Sequence, residues 1–352
     1  MLTIIMGADA AVLSCEAVEH IKEAPVRGED RWVLIVPEQF SFGAERRLCQ
    51  LGGNTIGRYA EVLSFSRLAD RVAAKVGGAA GAYLDKGGQL LTMALAAEQV
   101  ASRIKLYAPV LRKPEFLTDM VHVIGEFRSY CLDPSDLSKA AHQSEGRFSQ
   151  KLEELAILYE AYLAVCANGK ADPADKLLRL IEGMDDCRWI GQTRFYIDGF
   201  SDFTGAELSA IGHLICCAKE VRVGLTCAMK DSVMHRTAEK TATQLRRCAK
   251  ENEVPCKMER SEKIMPRHED VQRLLAHMFS YGTAEPMETD GVSFAVCAGA
   301  EEECRAAALR VKRLLAQGVR CRDIAVACTD MTRYEVPLRN AFRAAQIPAY
   351  FA

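Results

Sequence analysis

Short apolar runs and stretches of helical period alternate along the first 76 residues. Residues 2–6 read as a buried strand, 7–11 as a small, flexible turn and 12–21 as a helix. A second strand over 32–36 ends at Pro37, and a helix follows over 41–51. Val62 and Leu63 lead into Ser64, which suits the N-cap of a helix running to about residue 76. Strands alternating with helices predict a parallel α/β sheet.

From about 85 to 184 the pattern is helical only. Leu117, Met120, Val121, Ile124 and Phe127 share one face, and Leu152, Leu155, Leu158, Tyr159, Tyr162 and Val165 repeat that period. This predicts an all-α insertion. Strand patterns return over 194–198 and 221–226, separated by a helix over 205–218, so the first sheet resumes. Residues 229–290 mix both signs of charge and read as a connector, with helices over 238–251 and 270–279. The tail predicts a new β-α-β-α series: strand 292–297, helix 301–316, strand 323–328, helix 332–345, and a strand start at 347–351. The predicted division is a first α/β part over 1–84, the all-α insertion over 85–190, the resumed α/β domain with its connector over 191–290, and the start of a second α/β domain over 291–352.

Composition narrows the class. The 352 residues carry 45 Lys plus Arg against 47 Asp plus Glu, a formal net charge of -2. That lacks the basic excess usual in a phosphate-neutralising nucleic-acid binder, although a local basic groove fits within it. Fourteen cysteines spread over this length fall well below a disulfide scaffold. With no basic and apolar leader pattern at the N-terminus, a reduced cytoplasmic setting is expected. No uncharged apolar run reaches the ~18 residues that a spanning helix needs.

The first strand-turn-helix is where a P-loop NTPase carries GxxxxGK[ST], whose backbone N–H groups and Lys hold phosphates. Here the stretch is Gly7-Ala-Asp-Ala-Ala-Val-Leu-Ser14. Gly7 and Ser14 occupy the first and last positions, but Val12 replaces the second Gly and Leu13 the Lys. Asp9 adds a carboxylate where a triphosphate would lie. A working site also needs a strand ending in an acidic pair, one carboxylate for Mg²⁺ and one for the attacking water. Residues 195–199 supply the strand and Asp198, with Gly199 in the second place. The reading is a P-loop NTPase-like fold whose nucleotide site, marked by Gly7, Ser14 and Asp198, is degenerate. A working ATPase with an atypical loop, or a pure interaction scaffold, are the alternatives.

Five stretches resemble a known family: Leu34-Ile-Val-Pro-Glu-Gln-Phe-Ser-Phe42 with Glu45, Val62-Leu-Ser-Phe-Ser-Arg-Leu-Ala69, Glu126-Phe-Arg-Ser-Tyr-Cys-Leu-Asp-Pro134, Lys151-Leu-Glu-Glu-Leu155 with Tyr159, and Tyr196-Ile-Asp-Gly-Phe-Ser-Asp-Phe-Thr204. In order and spacing they resemble the AddB (RexB-like) subunit of the bacterial AddAB helicase-nuclease, which processes double-strand DNA ends for recombinational repair. The tail, through Ala300-Glu-Glu-Glu303, Asp323-Ile-Ala-Val-Ala327 and Gln346-Ile-Pro348, is similar to the opening of the second motor domain of superfamily 1 helicases. The resemblance implies an N-terminal, helicase-like fragment that ends inside that second domain. It implies an AddA-like motor subunit as heterodimer partner, a path for single-stranded DNA with Chi recognition, and action on double-stranded ends. It places the nuclease domain, its Mg²⁺ and an iron-sulfur cluster in the full-length protein, with no cofactor in this fragment.

Candidate DNA contacts are Gln39, Ser41, Phe65, Arg67, Phe200 and Phe203. They lie just after predicted strands, where an open α/β sheet places ligand groups, and the resemblance maps them to the single-strand channel. Core packing competes for the three phenylalanines, and ligand-free exposure for Gln39 and Arg67. No catalytic residue is expected: there is no GxSxG, and Glu301-Glu302-Glu303 falls at a helix start, where carboxylates favour the dipole. No metal site is expected either. There is no CxxC, Cys216 and Cys217 are helix neighbours that point different ways, and His20, His122, His142, His213, His235, His268 and His277 form no HExxH.

Overall fold

In the computed structural model, residues 1–53, 55–77, 83–167, 169–227, 236–278 and 288–351 are described. The chain forms two compact units, Met1–Pro266 and Arg267–Ala352.

The first unit opens with β1 (Leu2–Gly7), α1 (Ala10–Lys22), β2 (Trp32–Ile35), α2 (Ser41–Gly52), β3 (Ala60–Leu63) and α3 (Phe65–Val76). Ser64 caps α3 as its sequence position suggests, accepting from the Arg67 N–H at 3.3 Å. Next come α4 (Lys86–Gln99), α5 (Pro114–Ser129), α6 (Pro134–His142), α7 (Gly146–Ala167), α8 (Lys176–Met184) and the short α9 (Arg188–Gly191). The unit closes with β4 (Arg194–Ile197), α10 (Gly205–Cys217), β5 (Glu220–Thr226), α11 (Arg236–Glu251) and β6 (Cys256–Ser261).

The six strands make one sheet in the order β3-β2-β4-β5-β1-β6, every pair parallel. Side-chain alternation sorts the strand residues between two cores. Leu2, Ile4, Met6, Val33, Ile35, Phe195, Ile197 and Val223 pack under α3, α8, α10 and α11. Ile5, Trp32, Leu34, Val62 and Tyr196 point the other way, under α1 and α2. Because all strands are parallel, their C-terminal ends share one edge, and the turns after Gly7, Ile35, Leu63 and Ile197 meet there.

The helical stretch has its own core, built by α4, α5, α6 and α7 around Met93, Leu117, Met120, Ile124, Leu158 and Tyr162. Its two feet are tied by a parallel bridge between Tyr83 and Ala171. Buried Asp172 holds them, accepting from the Tyr162 hydroxyl at 2.5 Å and the Gln89 amide at 3.1 Å. The next two helices leave that core: Leu180 and Met184 of α8 and Ile190 of α9 lie in the sheet core.

Two expectations need correction. The predicted connector contains a strand, β6, paired to β1 along its whole length. Its sequence, CKMERS, hides it, because an edge strand with most of its residues exposed needs no apolar alternation. In the second unit α12 (Glu269–His277), α13 (Ala300–Ala316) and α14 (Met331–Ala344) form, but 292–297, 323–328 and 347–351 make no ladder among the described residues. Phe294 and Val296 are 92% and 85% exposed. A strand exists only with a hydrogen-bonded neighbour, which a local apolar pattern does not supply. The unit's core is instead the α13-α14 contact, with Cys304, Ala308, Val311, Leu338, Phe342 and Ile347. The end of the predicted helix at Phe279, and His235, lie outside the described residues.

Candidate nucleotide and strand-end site

At the β1-α1 turn, Asp9 is the N-cap of α1. One carboxylate oxygen accepts from Ala11 N at 3.0 Å and Val12 N at 3.4 Å. The other accepts from Met265 N at 3.1 Å, in the segment that follows β6. Asp9 is 2% exposed. These helix N-terminal amides are the donors that a phosphate would need, and the chain's own carboxylate takes them. Leu13, at the Lys position of the phosphate loop, is 1% exposed and packs in the α1-α2 core. Its Cδ2 lies 3.0 Å from where a Cβ on Gly7 would sit, so a side chain at Gly7 would press on that leucine.

Ser14 and Asp198 do meet, although 184 residues separate them: Ser14 Oγ donates to Asp198 Oδ2 at 2.6 Å. Asp198 Oδ1 rests over β5, 3.0 Å from the Cβ position of Gly224, a glycine whose role sequence reasoning missed. Burial pushes the Asp198 carboxyl above the usual aspartate range, against the opposing pull of the Ser14 hydrogen bond, the Gly199 backbone N–H and the Arg47 charge. Gly199, in the place of the water-polarising acid, has φ +81, where a glutamate would be strained. Against a Mg²⁺-triphosphate stand the amides already bonded to Asp9 and the absence of a cation at Leu13, whereas Ser14 and Asp198 meet as the two Mg²⁺-holding groups of such a site do.

Beside them, a cavity of about 370 Å³ opens between α1 and α2, lined by Ser14, Val36, Gln39, Phe40, Arg47 and Asp198. Of the six strand-end candidates only Gln39 lines it, and the six differ in exposure. Gln39 and Arg67 are exposed, and Phe200 and Phe203 are half-buried. Ser41 and Phe65 are buried at 8% and 5% exposure. Phe65 is a core residue; its ring meets Phe200 at 5.5 Å, and Phe200 meets Phe203 at 4.9 Å, so the trio runs outward from the core. Base stacking on Phe65 is closed off by that packing, which corrects its expected role. Phe40 and Phe42, 51% and 77% exposed, are the more available rings, and Arg46 and Arg47 are exposed one turn further along α2. The adjacent aromatics of Glu38-Gln-Phe-Ser-Phe42 carried that signal.

An all-parallel sheet with a strand-turn-helix phosphate position, faced by an aspartate at the end of a strand two places away, defines a P-loop NTPase-like, helicase-like α/β domain. Comparison with known proteins gives the particular family. The chain matches the family described as "ADDB, N-terminal" over residues 4–278, and it belongs to that family. It is similar to proteins named as the B subunit of an ATP-dependent helicase/deoxyribonuclease. That of Thermoanaerobacter sp. (strain X514) is 28% identical over 332 residues, covering 90% of this chain and 29% of the relative. That of Desulforamulus reducens is 28% identical over 374 aligned positions, covering 99% of this chain and 32% of the relative. That of Clostridium kluyveri is 31% identical over 223 residues, 63% of this chain and 19% of the relative. The chain thus spans 29% and 32% of the length of the first two. Among the described residues no helix is long and apolar enough to cross a membrane.

Proposed function

We propose that this chain is the helicase-like N-terminal part of the B subunit of a helicase/deoxyribonuclease acting in double-strand break repair by homologous recombination. It guides single-stranded DNA along the strand-end edge of its sheet, with Chi as the sequence read, and docks an AddA-like motor subunit. It binds no ATP itself. Asp9 carries this last point: a carboxylate already holds the amides that make a helix N-terminus attract phosphate. The relatives' printed name and the family match support the repair role; exposed Gln39, Arg67, Phe40 and Phe42 at one edge support the DNA path.

The paired substitution Gln39→Ala/Arg67→Ala tests the path. Fluorescence anisotropy with a labelled oligothymidylate at low salt is expected to show about tenfold weaker binding, the loss of a charge-assisted contact. The denaturation midpoint is expected to stay within experimental spread, since both side chains are exposed. Unchanged affinity in the folded variant removes this edge from the DNA path.

A further inference from the structure

The run Glu126-Phe-Arg-Ser-Tyr-Cys-Leu-Asp-Pro134 ends α5, makes a turn and starts α6. Most of its residues hold that turn in place. Phe127 packs its ring on Tyr159 of α7, and buried Arg128 pairs with Asp175. Cys131 takes φ +56, which lets the Leu132 N–H reach back to the Phe127 carbonyl at 2.8 Å. The Leu132 carbonyl accepts from the Tyr159 hydroxyl at 3.1 Å, and Asp133 caps α6, accepting from Ser135 N at 2.7 Å. Tyr130 is left over. It is 63% exposed, and its side chain has no hydrogen bond or ring contact among the described residues. Its backbone, in contrast, is docked: a Cβ on Gly205 would sit 3.0 Å from Tyr130 Cα and 3.1 Å from its carbonyl carbon and oxygen. Gly205 opens α10, two residues after Phe203. A glycine there lets the turn of the insertion close on the strand-end edge, beside the Phe200-Phe203 pair.

We propose that Tyr130 is a stacking platform for a base of single-stranded DNA, extending the path from the sheet edge onto the helical insertion. This rests on the DNA path proposed above and adds a residue to it. An aromatic side chain serves a single strand best when its π-face is open and its backbone is fixed, because stacking then orders little besides the nucleic acid. Tyr130 meets both conditions. Its N–H donates to the Glu126 and Phe127 carbonyls at 3.2 Å each, and Gly205 closes on its other side. A tyrosine also suits a surface that is wet when DNA is gone, since the ring is apolar and the hydroxyl stays hydrated. The exposed carboxylates of Glu126 and Asp133 on the same turn repel phosphate, which points the contact to a base and not to the backbone. Phe200 and Phe203 are half-buried and pack on one another, so Tyr130 adds the open face that those two lack.

The test compares Tyr130→Ala, Tyr130→Leu and Tyr130→Phe with the native protein, by anisotropy of a labelled oligothymidylate across a salt series. Loss of one stacked base is expected to weaken binding at least about fivefold in the Ala and Leu variants. The Phe variant, which keeps the ring, is expected to bind as the native protein does. The slope of log affinity against log salt is expected to stay the same in Tyr130→Ala, because no phosphate contact is lost, whereas removing Arg67 lowers it. Melting temperatures of the three variants are expected to match the native value, since the side chain is exposed. Native affinity in folded Tyr130→Ala, with Gln39→Ala/Arg67→Ala weakened, overturns the role of Tyr130 and leaves the path standing. Equal losses in Tyr130→Ala and Tyr130→Phe overturn stacking in favour of a contact by the hydroxyl. Absence of oligothymidylate binding by the native protein overturns the path, and Tyr130 with it.

Discussion

Asp9 shows how one side chain can close a site. As an N-cap it satisfies two orphan amides of α1, and through Met265 it fastens the segment after β6 to the same turn. Asp9→Ala is expected to cost about 1–2 kcal/mol, the upper part of the range for cap removal, read as a lower urea midpoint with an unchanged slope. Phe65→Ala is expected to cost about 3–5 kcal/mol, because it empties a core position, so a loss of DNA affinity in that variant reports unfolding unless stability is measured alongside. His20 supplies a pH dependence. Burial foremost, then the charges of Arg222 and Arg27, lowers its pKa from 6.5 to about 4. The unfolded chain therefore takes up a proton that the native chain refuses. The stability contributed by neutral His20 is full above pH 6.5 and drains away as pH falls towards 4. Urea midpoints measured across that interval should fall more steeply for the native protein than for His20→Gln; equal slopes would contradict the buried, neutral imidazole. Val12, Leu13 and Gly199 stand out in the sequence as departures from the phosphate-loop and acidic-pair patterns. Asp9 also stands out there as a carboxylate beside the phosphate position; its second tie, to Met265 across 256 residues, was not legible.

At the scale of elements, strands buried on both faces announce themselves, and helices with a strong stripe and a cap do too: Ser64 and the core strands fell where their residues placed them. β6 did not, because an edge strand is specified by its neighbour β1 and not by its own pattern. The tail segments failed in the opposite sense, with strand-like runs that have no ladder among the described residues. Within the insertion, buried Glu154 of α7 accepts from three successive backbone N–H groups, Lys105 at 2.9 Å, Leu106 at 2.7 Å and Tyr107 at 3.0 Å. Glu154→Ala leaves those donors without their acceptor and is expected to cost at least ~3 kcal/mol, about 1 or more for each. Hydrogen exchange should then accelerate at 105–107 while β1 and β5 keep their protection. Retained protection at 105–107 would show that the loop is held by other contacts.

For the whole molecule, a net charge of -2 first weighed against nucleic acid, and the fold changes what that number means. A path that uses few phosphate contacts at one sheet edge needs no global basic excess, and its affinity should fall only gently with salt. The candidate site was half legible in the sequence: the turns that build it follow strands readable from apolar runs. Which phenylalanines face outward was decided by packing, which buries Phe65 and leaves Phe40 and Phe42 exposed. On the proposed function, this domain keeps a nucleotide-binding fold with its phosphate position filled from within, while the neighbouring edge serves DNA. The most direct test measures Mg²⁺-ATP and oligothymidylate binding side by side on one preparation. Saturable DNA binding with no ATP binding up to millimolar concentration is expected; sub-millimolar ATP affinity abolished by Asp198→Ala would contradict the proposed function.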